Sequence, residues 1–206
     1  MKYHNIYKHY EGCLAKHLDG HLAVDWPNMP DLEKRFSMML NVVRESSDVD
    51  ILDFGCGNAL LYSYLKNNNI TNINYSGLDI SKKFISTCKS KYPEAKFYCK
   101  DILREGIDLE FDYAICNGTF TEKLDLTFDE MFDFFSKVIG MLFHRAKSGI
   151  AFNVMSSHVD YERSDLFHVP HDLLASYLCT NLSRDYIIRN DYGLYEYTVY
   201  LYKGHA

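Results

Sequence analysis

The chain contains no apolar run of about 18 residues, the length a helix needs to cross a bilayer, so no membrane span is expected. Its first residues, MKYHNIYKHYEG, are polar and aromatic, which excludes the apolar region of a signal peptide there. It also lacks a basic excess. Twenty-two Lys and Arg stand against 28 Asp and Glu, a formal net charge of -6, whereas a general nucleic-acid binder shows a basic face. The six cysteines (Cys13, Cys56, Cys88, Cys99, Cys116 and Cys179) include no C-x-x-C pair and no His/Cys cluster at zinc spacing, so no metal is expected. Cys56, Cys99 and Cys116 lie in or beside apolar stretches, where a thiol behaves as a small hydrophobe; a reduced, cytoplasmic protein is the simplest reading. With no internal repeat, low-complexity tract or linker, the 206 residues read as one domain.

What is present follows a regular order. From Tyr3 to Leu18 apolar and aromatic residues recur at helical spacing. A loop, HLAVDWPNMPD, holds the only tryptophan, Trp26. Asp31 is placed to cap a second helix over residues 32–45, with Leu32, Phe36, Met39, Leu40 and Val43 on one face. Residues 1–46 thus form an N-terminal helical cap, set to cover a pocket mouth, and residues 47–206 a core. In the core, strand patterns at 49–54, 72–78, 95–99, 111–116 and 149–155 alternate with helical ones. The tail then holds a helix over 170–182 and two strands, 184–189 and 195–202. The link between those strands is too short for a crossover helix, so they pair antiparallel. The expected fold is α/β, a Rossmann-like seven-stranded sheet, mostly parallel with an antiparallel C-terminal strand.

The stretch ILDFGCGNALLYSYL, residues 51–65, organises the rest. An apolar strand ends on Asp53, turns through Gly55-Cys56-Gly57 and enters a helix, which brings backbone N–H groups close to a ligand. A second acid, Asp79, closes the next strand 26 residues later. Strand, glycine turn, helix and terminal acid describe a nucleotide-type pocket at the carboxyl ends of parallel strands. The third glycine of the dinucleotide fingerprint is missing, since position 60 is Leu, and this suits a cofactor with no pyrophosphate to cradle.

These motifs resemble, over nearly the whole chain, the class I S-adenosylmethionine-dependent methyltransferases of the small bacterial kind. ILDFGCGNA is similar to their first motif, LDIS to the second, Lys100-Asp101 to the end of strand three and DYAICNGTF to the fourth; the tail resembles a bacterial type 11/12 subgroup. The resemblance implies S-adenosylmethionine as cofactor and S-adenosylhomocysteine as product. It sets Asp53, Gly55, Cys56 and Gly57 under the methionine part and Asp79 on both ribose hydroxyls. Ile80 and Phe84 would flank the adenine, Asp101 with Ile102 would meet its edge, and Asn117 and Gly118 would lie near the reacting methyl. Arg35 is the expected partner of the methionine carboxylate, and Trp26 is placed to close over the cofactor.

Methyl transfer is an in-line displacement, so the enzyme mainly aligns the acceptor and excludes water. The acceptor site is expected past strands four and five and in the final hairpin loop, from Asn153, Ser156, Tyr161, Arg163, Tyr192 and Tyr195. His158 is the general-base candidate for a hydroxyl acceptor. The expected acceptor is a small molecule, such as a sugar, phosphorylated or other anionic metabolite of surface-polysaccharide biosynthesis. No nucleic acid or membrane partner is expected, and the chain reads as a monomer or homodimer. The competing readings are a non-catalytic S-adenosylmethionine-binding protein, a methyltransferase acting on protein or nucleic acid, and a nicotinamide oxidoreductase.

Overall fold

A computed structural model describes residues 2–204. Two helices, α1 (His4–His17) and α2 (Met29–Leu40), flank a 3-10 turn at His21–Val24. The alternating part runs β1 (Val49–Phe54), α3 (Leu60–Asn67), β2 (Ile73–Asp79), α4 (Lys82–Lys91), β3 (Lys96–Cys99), a short α5 (Ile102–Glu105), β4 (Phe111–Cys116), α6 (Phe128–Arg145) and β5 (Ala146–Ser156). The chain finishes with β6 (His168–Val169), α7 (His171–Asn181), β7 (Tyr186–Arg189) and β8 (Glu196–Tyr202).

The sheet order is β3-β2-β1-β4-β5-β8-β7, with the two-residue β6 paired to the end of β5. Strands β1 to β5 pair in parallel, and β8 runs antiparallel between β5 and β7. The expected topology holds, with β6 as an eighth strand that its length hides from any sequence pattern. The order reverses at β1, between β2 and β4, and there the carboxyl ends of neighbouring strands leave a crevice.

Both faces are covered. One layer gathers α6 and α7 around Leu52, Phe135, Ile139 and Phe152; the other gathers α2 and α3 around Ile51, Leu61 and Ala151. The longest helix, α6, starts from a reciprocal cap: Thr127 Oγ1 accepts from the Glu130 N–H at 3.2 Å and the Glu130 carboxylate accepts from the Thr127 N–H at 3.0 Å. Its buried Met131, Phe135, Val138, Ile139 and Leu142 recur at helical spacing and seat it on the sheet.

The two N-terminal helices differ in kind. Leu32, Phe36 and Met39 of α2 are buried in the core layer, each contributing about 1.5–3 kcal/mol, so α2 is part of the core rather than a lid. Asn28, not Asp31, caps it by accepting the Asp31 N–H, because Met29 and Pro30 form its first turn. The helix also stops at Leu40, short of residue 45, where Val42 turns inward. Only α1 crosses the carboxyl ends of the strands, held to the core by Glu11, which accepts the Ser81 hydroxyl at 2.6 Å and pairs with Lys83 at 2.8 Å.

Candidate active site

The crevice at the order reversal opens into a cavity of about 1120 Å³, open solvent at its mouth included. Its floor is the end of β1 with the Gly55–Asn58 turn, one wall is Asp79, Ile80 and Phe84, and another is Asn117, Gly118 and Thr119. Tyr3, Tyr7 and Tyr10 of α1, with Val24 and Trp26, form the roof.

Local backbone geometry explains the floor. Gly55 has φ +75°, and a Cβ there would lie 2.6 Å from Thr119 Oγ1, so a side chain would be strained and would meet the neighbouring loop. Thr119 in turn donates to the Phe54 carbonyl at 3.0 Å, locking the loop after β4 to the end of β1. Gly118 has φ +74°, and a Cβ there would meet the Trp26 ring at 2.4 Å. The indole therefore rests directly on the Gly118 backbone.

Two buried carboxylates face the cavity. Asp79 accepts the Gly57 N–H at 2.9 Å and the Ser81 N–H at 2.8 Å. Ser81 itself caps α4 by accepting the Phe84 N–H, so Asp79 is not needed as that cap. Burial pushes Asp79 up to about 6, opposed by the two backbone donors. Asp53, 4% exposed, accepts the Tyr75 hydroxyl at 2.8 Å. Burial pushes it up to about 7, with the Tyr75 hydrogen bond lowering it and the charge of Asp79 raising it further. Carboxylates this strongly desolvated at a crevice are the mark of a ligand site.

The polar atoms left over fit an aminoacyl-bearing nucleoside. Asn58 Oδ1 and Asn117 Oδ1 line the cavity buried and without a partner, two acceptors that an ammonium, with three donors, would satisfy. Asp79, with its spare lone pairs, suits a ribose diol, and Leu78, Ile80, Phe84 and Ile102 supply an apolar slot for a base. Asp101 lines the same end, but its carboxylate is shared: it accepts the Tyr3 hydroxyl at 3.0 Å, lies 3.2 Å from His4 Nε2 and caps α5 through the Leu103 N–H. Of the residues expected to hold the cofactor, the cavity brings together Trp26, Asp53, Gly55, Cys56, Gly57, Asp79, Ile80, Phe84, Asp101, Ile102, Asn117 and Gly118.

Arg35 is the exception and a correction. Its guanidinium forms a two-pronged pair with Glu196 at 2.9–3.0 Å, both groups nearly buried, and lies 4.3 Å from the Trp26 ring centroid. It is absent from the cavity lining, and no guanidinium lines the cavity among the described residues. Arg35 braces Trp26 from behind instead of meeting a carboxylate.

None of the expected acceptor residues lines the cavity. Asn153 is fully buried and structural: its Oδ1 accepts the Gly118 N–H and its Nδ2 donates to Glu196, both at 2.8 Å. Tyr192 donates to Glu196 and shares a hydrogen bond with Thr198, joining that same support. Ser156 Oγ accepts the His158 N–H at 3.0 Å. The His158 ring is exposed and stacks 5.2 Å from His171, so it is not set to act as a base at the cavity. Arg163 pairs with Asp165, while Tyr161 and Tyr195 are exposed. After β5 the chain returns to the loop after β4, where the Phe167 N–H donates to the Thr121 carbonyl at 2.8 Å and the Lys123 and Leu124 N–H groups donate to the Asp165 carbonyl at 2.9 Å.

The residues the motifs miss are Asn58, Thr119 and the roof of α1. Tyr3, Tyr7 and Tyr10, spaced at i, i+4 and i+7, are the visible signal, since that spacing places three phenols on one helical face.

Comparison with known proteins agrees with this geometry. The family model described as a methyltransferase domain matches residues 51–139. Rv1506c of Mycobacterium tuberculosis, provisionally named a methyltransferase, is 26% identical over 167 residues, covering 80% of this chain and 99% of its own. The magnesium protoporphyrin IX methyltransferase of Synechocystis PCC 6803, solved with bound S-adenosylhomocysteine, superposes with a TM-score of 0.61 at 14% identity over 97% of this chain and 94% of its own. Human N-acetylserotonin methyltransferase, solved with S-adenosylmethionine, gives 0.63 at 14% identity over 83% of this chain and 52% of its own. Residues 51–139 thus match a methyltransferase domain, and the chain shares the fold of enzymes solved with S-adenosylmethionine or S-adenosylhomocysteine bound.

Proposed function

We propose that the chain methylates a small, neutral or cationic acceptor held under the α1 roof, with α1 and the loop through Trp26 serving as the cover of a single catalytic domain. The observation that carries this reading is the roof itself: Tyr3, Tyr7, Tyr10, Val24 and Trp26 close over the cavity and leave little room for a protein or nucleic-acid chain. When bound, S-adenosylmethionine supplies an electrophilic methyl on a sulfonium. The chain's own part is to bind, orient and exclude water. Asp79 would hold the ribose, and the Asn58 and Asn117 carbonyl oxygens the ammonium. Trp26, braced by Arg35, would exclude solvent above Gly118.

The polar character of the roof supports the choice of acceptor charge. Lys100, the lysine of the lining, is paired with Asp108 at 2.7 Å, and Arg35 and Arg163 are paired elsewhere. Behind Tyr10 stands Glu122, pushed up by burial and by the charge of Asp25. Among the described residues, an anionic metabolite, including a sugar phosphate, would find no free cation in the lining. The names of the two superposed enzymes, which act on a porphyrin and on an acetylated amine of small size, favour a small acceptor as well.

The test is release of S-adenosylhomocysteine in the presence of charge-fractionated metabolite pools, short peptides and RNA. Turnover is expected with the neutral or cationic small-molecule fraction. Turnover confined to the anionic fraction, peptides or RNA refutes the reading.

A further inference from the structure

At the seam between α1 and the core lies a group of side chains that methyl transfer does not employ. His9 and Cys13 are one turn apart on α1, so their side chains share a face. Asp25 follows the 3-10 turn, and Glu122 lies in the loop after β4. His9 Nε2 is 2.8 Å from Asp25 Oδ2, 3.7 Å from Glu122 Oε2 and 3.8 Å from Cys13 Sγ. The ligand atoms of His9, Cys13 and Asp25 all lie within 4.8 Å of one another.

The spacings among His9, Cys13 and Asp25 resemble those of a coordination sphere, with Glu122 at its edge. Donors bound tetrahedrally at zinc-type bond lengths sit roughly 3.3–3.7 Å apart. Two of the separations from His9 are near that value, and the third is a hydrogen bond that would open by about half an ångström on coordination. A second observation points to a ligand. Glu122 Oε2 is buried and has no hydrogen-bond partner, a costly state that a cation relieves. One imidazole, one thiolate and two carboxylates suit a borderline first-row divalent ion, whereas calcium and magnesium take oxygen donors.

We propose that His9, Cys13, Asp25 and Glu122 bind a first-row divalent transition metal of the zinc class, which fastens α1 and the Trp26 loop to the loop after β4. Tyr10, the neighbour of His9, lines the cavity, so the bound ion would hold the roof in its closed position. An imidazolium bridging Asp25 and Glu122 would satisfy the same carboxylates without an ion, and Cys13 separates the two arrangements, because only a metal needs its sulfur.

The test uses the full chain without a histidine tag, stripped by chelator and titrated with Co²⁺ and then Zn²⁺. Saturable binding of one Co²⁺ is expected, with a thiolate-to-cobalt charge-transfer band that Zn²⁺ removes. Cys13→Ser should abolish the band, and His9→Ala and Asp25→Asn should each weaken Zn²⁺ at least about tenfold. Asp25 is exposed, so that variant keeps the test valid if a buried one fails to fold. Cys99→Ser, at an exposed thiol elsewhere, should change nothing. Absence of one-to-one binding, or a band that survives Cys13→Ser and disappears in Cys99→Ser, overturns the assignment.

Discussion

Replacing Asp53 with Asn should make the ligand-free protein more stable at alkaline pH, although the residue sits in the cofactor site. Asp53 is 4% exposed, and burial pushes it from 3.8 in the open chain to about 7 in the fold. A carboxyl whose folded value is raised binds more protons in the native state than in the unfolded one. Its stabilising contribution is therefore complete below about pH 4 and is lost as pH rises through about 7. Three pH units at about 1.4 kcal/mol each put the penalty on the order of 4 kcal/mol at pH 8 and above. Asn removes the charge while its Oδ1 still accepts the Tyr75 hydroxyl, now at 2.8 Å from Asp53. Urea unfolding, followed through the single tryptophan, Trp26, reads the difference directly. Asp53→Asn is expected to gain about 2–4 kcal/mol at pH 8, with most of that gain gone by pH 5. A variant less stable than the parent at pH 8, or stabilised equally at both pH values, would refute the reasoning. The same variant should bind cofactor less well, because the desolvated acid is retained for its ligand at the expense of the empty fold.

Arg35→Ala leaves the buried Glu196 carboxylate without its partner and should cost about 3–5 kcal/mol, seen as a lower thermal midpoint; a loss below about 1 kcal/mol would contradict the brace. Gly118→Ala places a methyl against Trp26 at a positive φ, so it should shift the tryptophan emission and weaken S-adenosylhomocysteine binding about tenfold or more, whereas an unchanged spectrum would argue against the contact. Since the His158 ring is exposed and outside the cavity lining, His158→Ala should leave the catalytic rate within about twofold of the parent, and a loss beyond about a hundredfold would restore it as a base.

The parts legible in the sequence are those fixed by short-range rules. The Gly55–Gly57 turn and Asp79 were readable because a strand that ends in glycine, and another that ends in an acid, bring their groups to the same edge of a parallel sheet. The antiparallel finish was readable from the length of one loop. The pairing of Arg35 is not legible, because its partner, Glu196, lies at the far end of the chain, and nothing around residue 35 announces a carboxylate from β8. The surroundings of the expected acceptor residues are hidden for a related reason. Proximity to the end of β5 does not determine what the following loop packs against, and here residues 165 and 167 bond to the loop after β4. The seam of His9, Cys13, Asp25 and Glu122 was hidden because its ligands come from three segments, only two of them on one helical turn.

Calorimetric titration of S-adenosylhomocysteine into the parent chain and Asp79→Ala, with NAD as the control ligand, tests the cofactor site most directly. The parent should bind one S-adenosylhomocysteine and give no heat with NAD. Asp79→Ala should lose the two hydrogen bonds expected from the ribose, each worth about 1.5–3 kcal/mol to a charged acceptor, and so at least about two decades of affinity. Binding of NAD alone, or parent-like affinity in Asp79→Ala, would contradict the assignment.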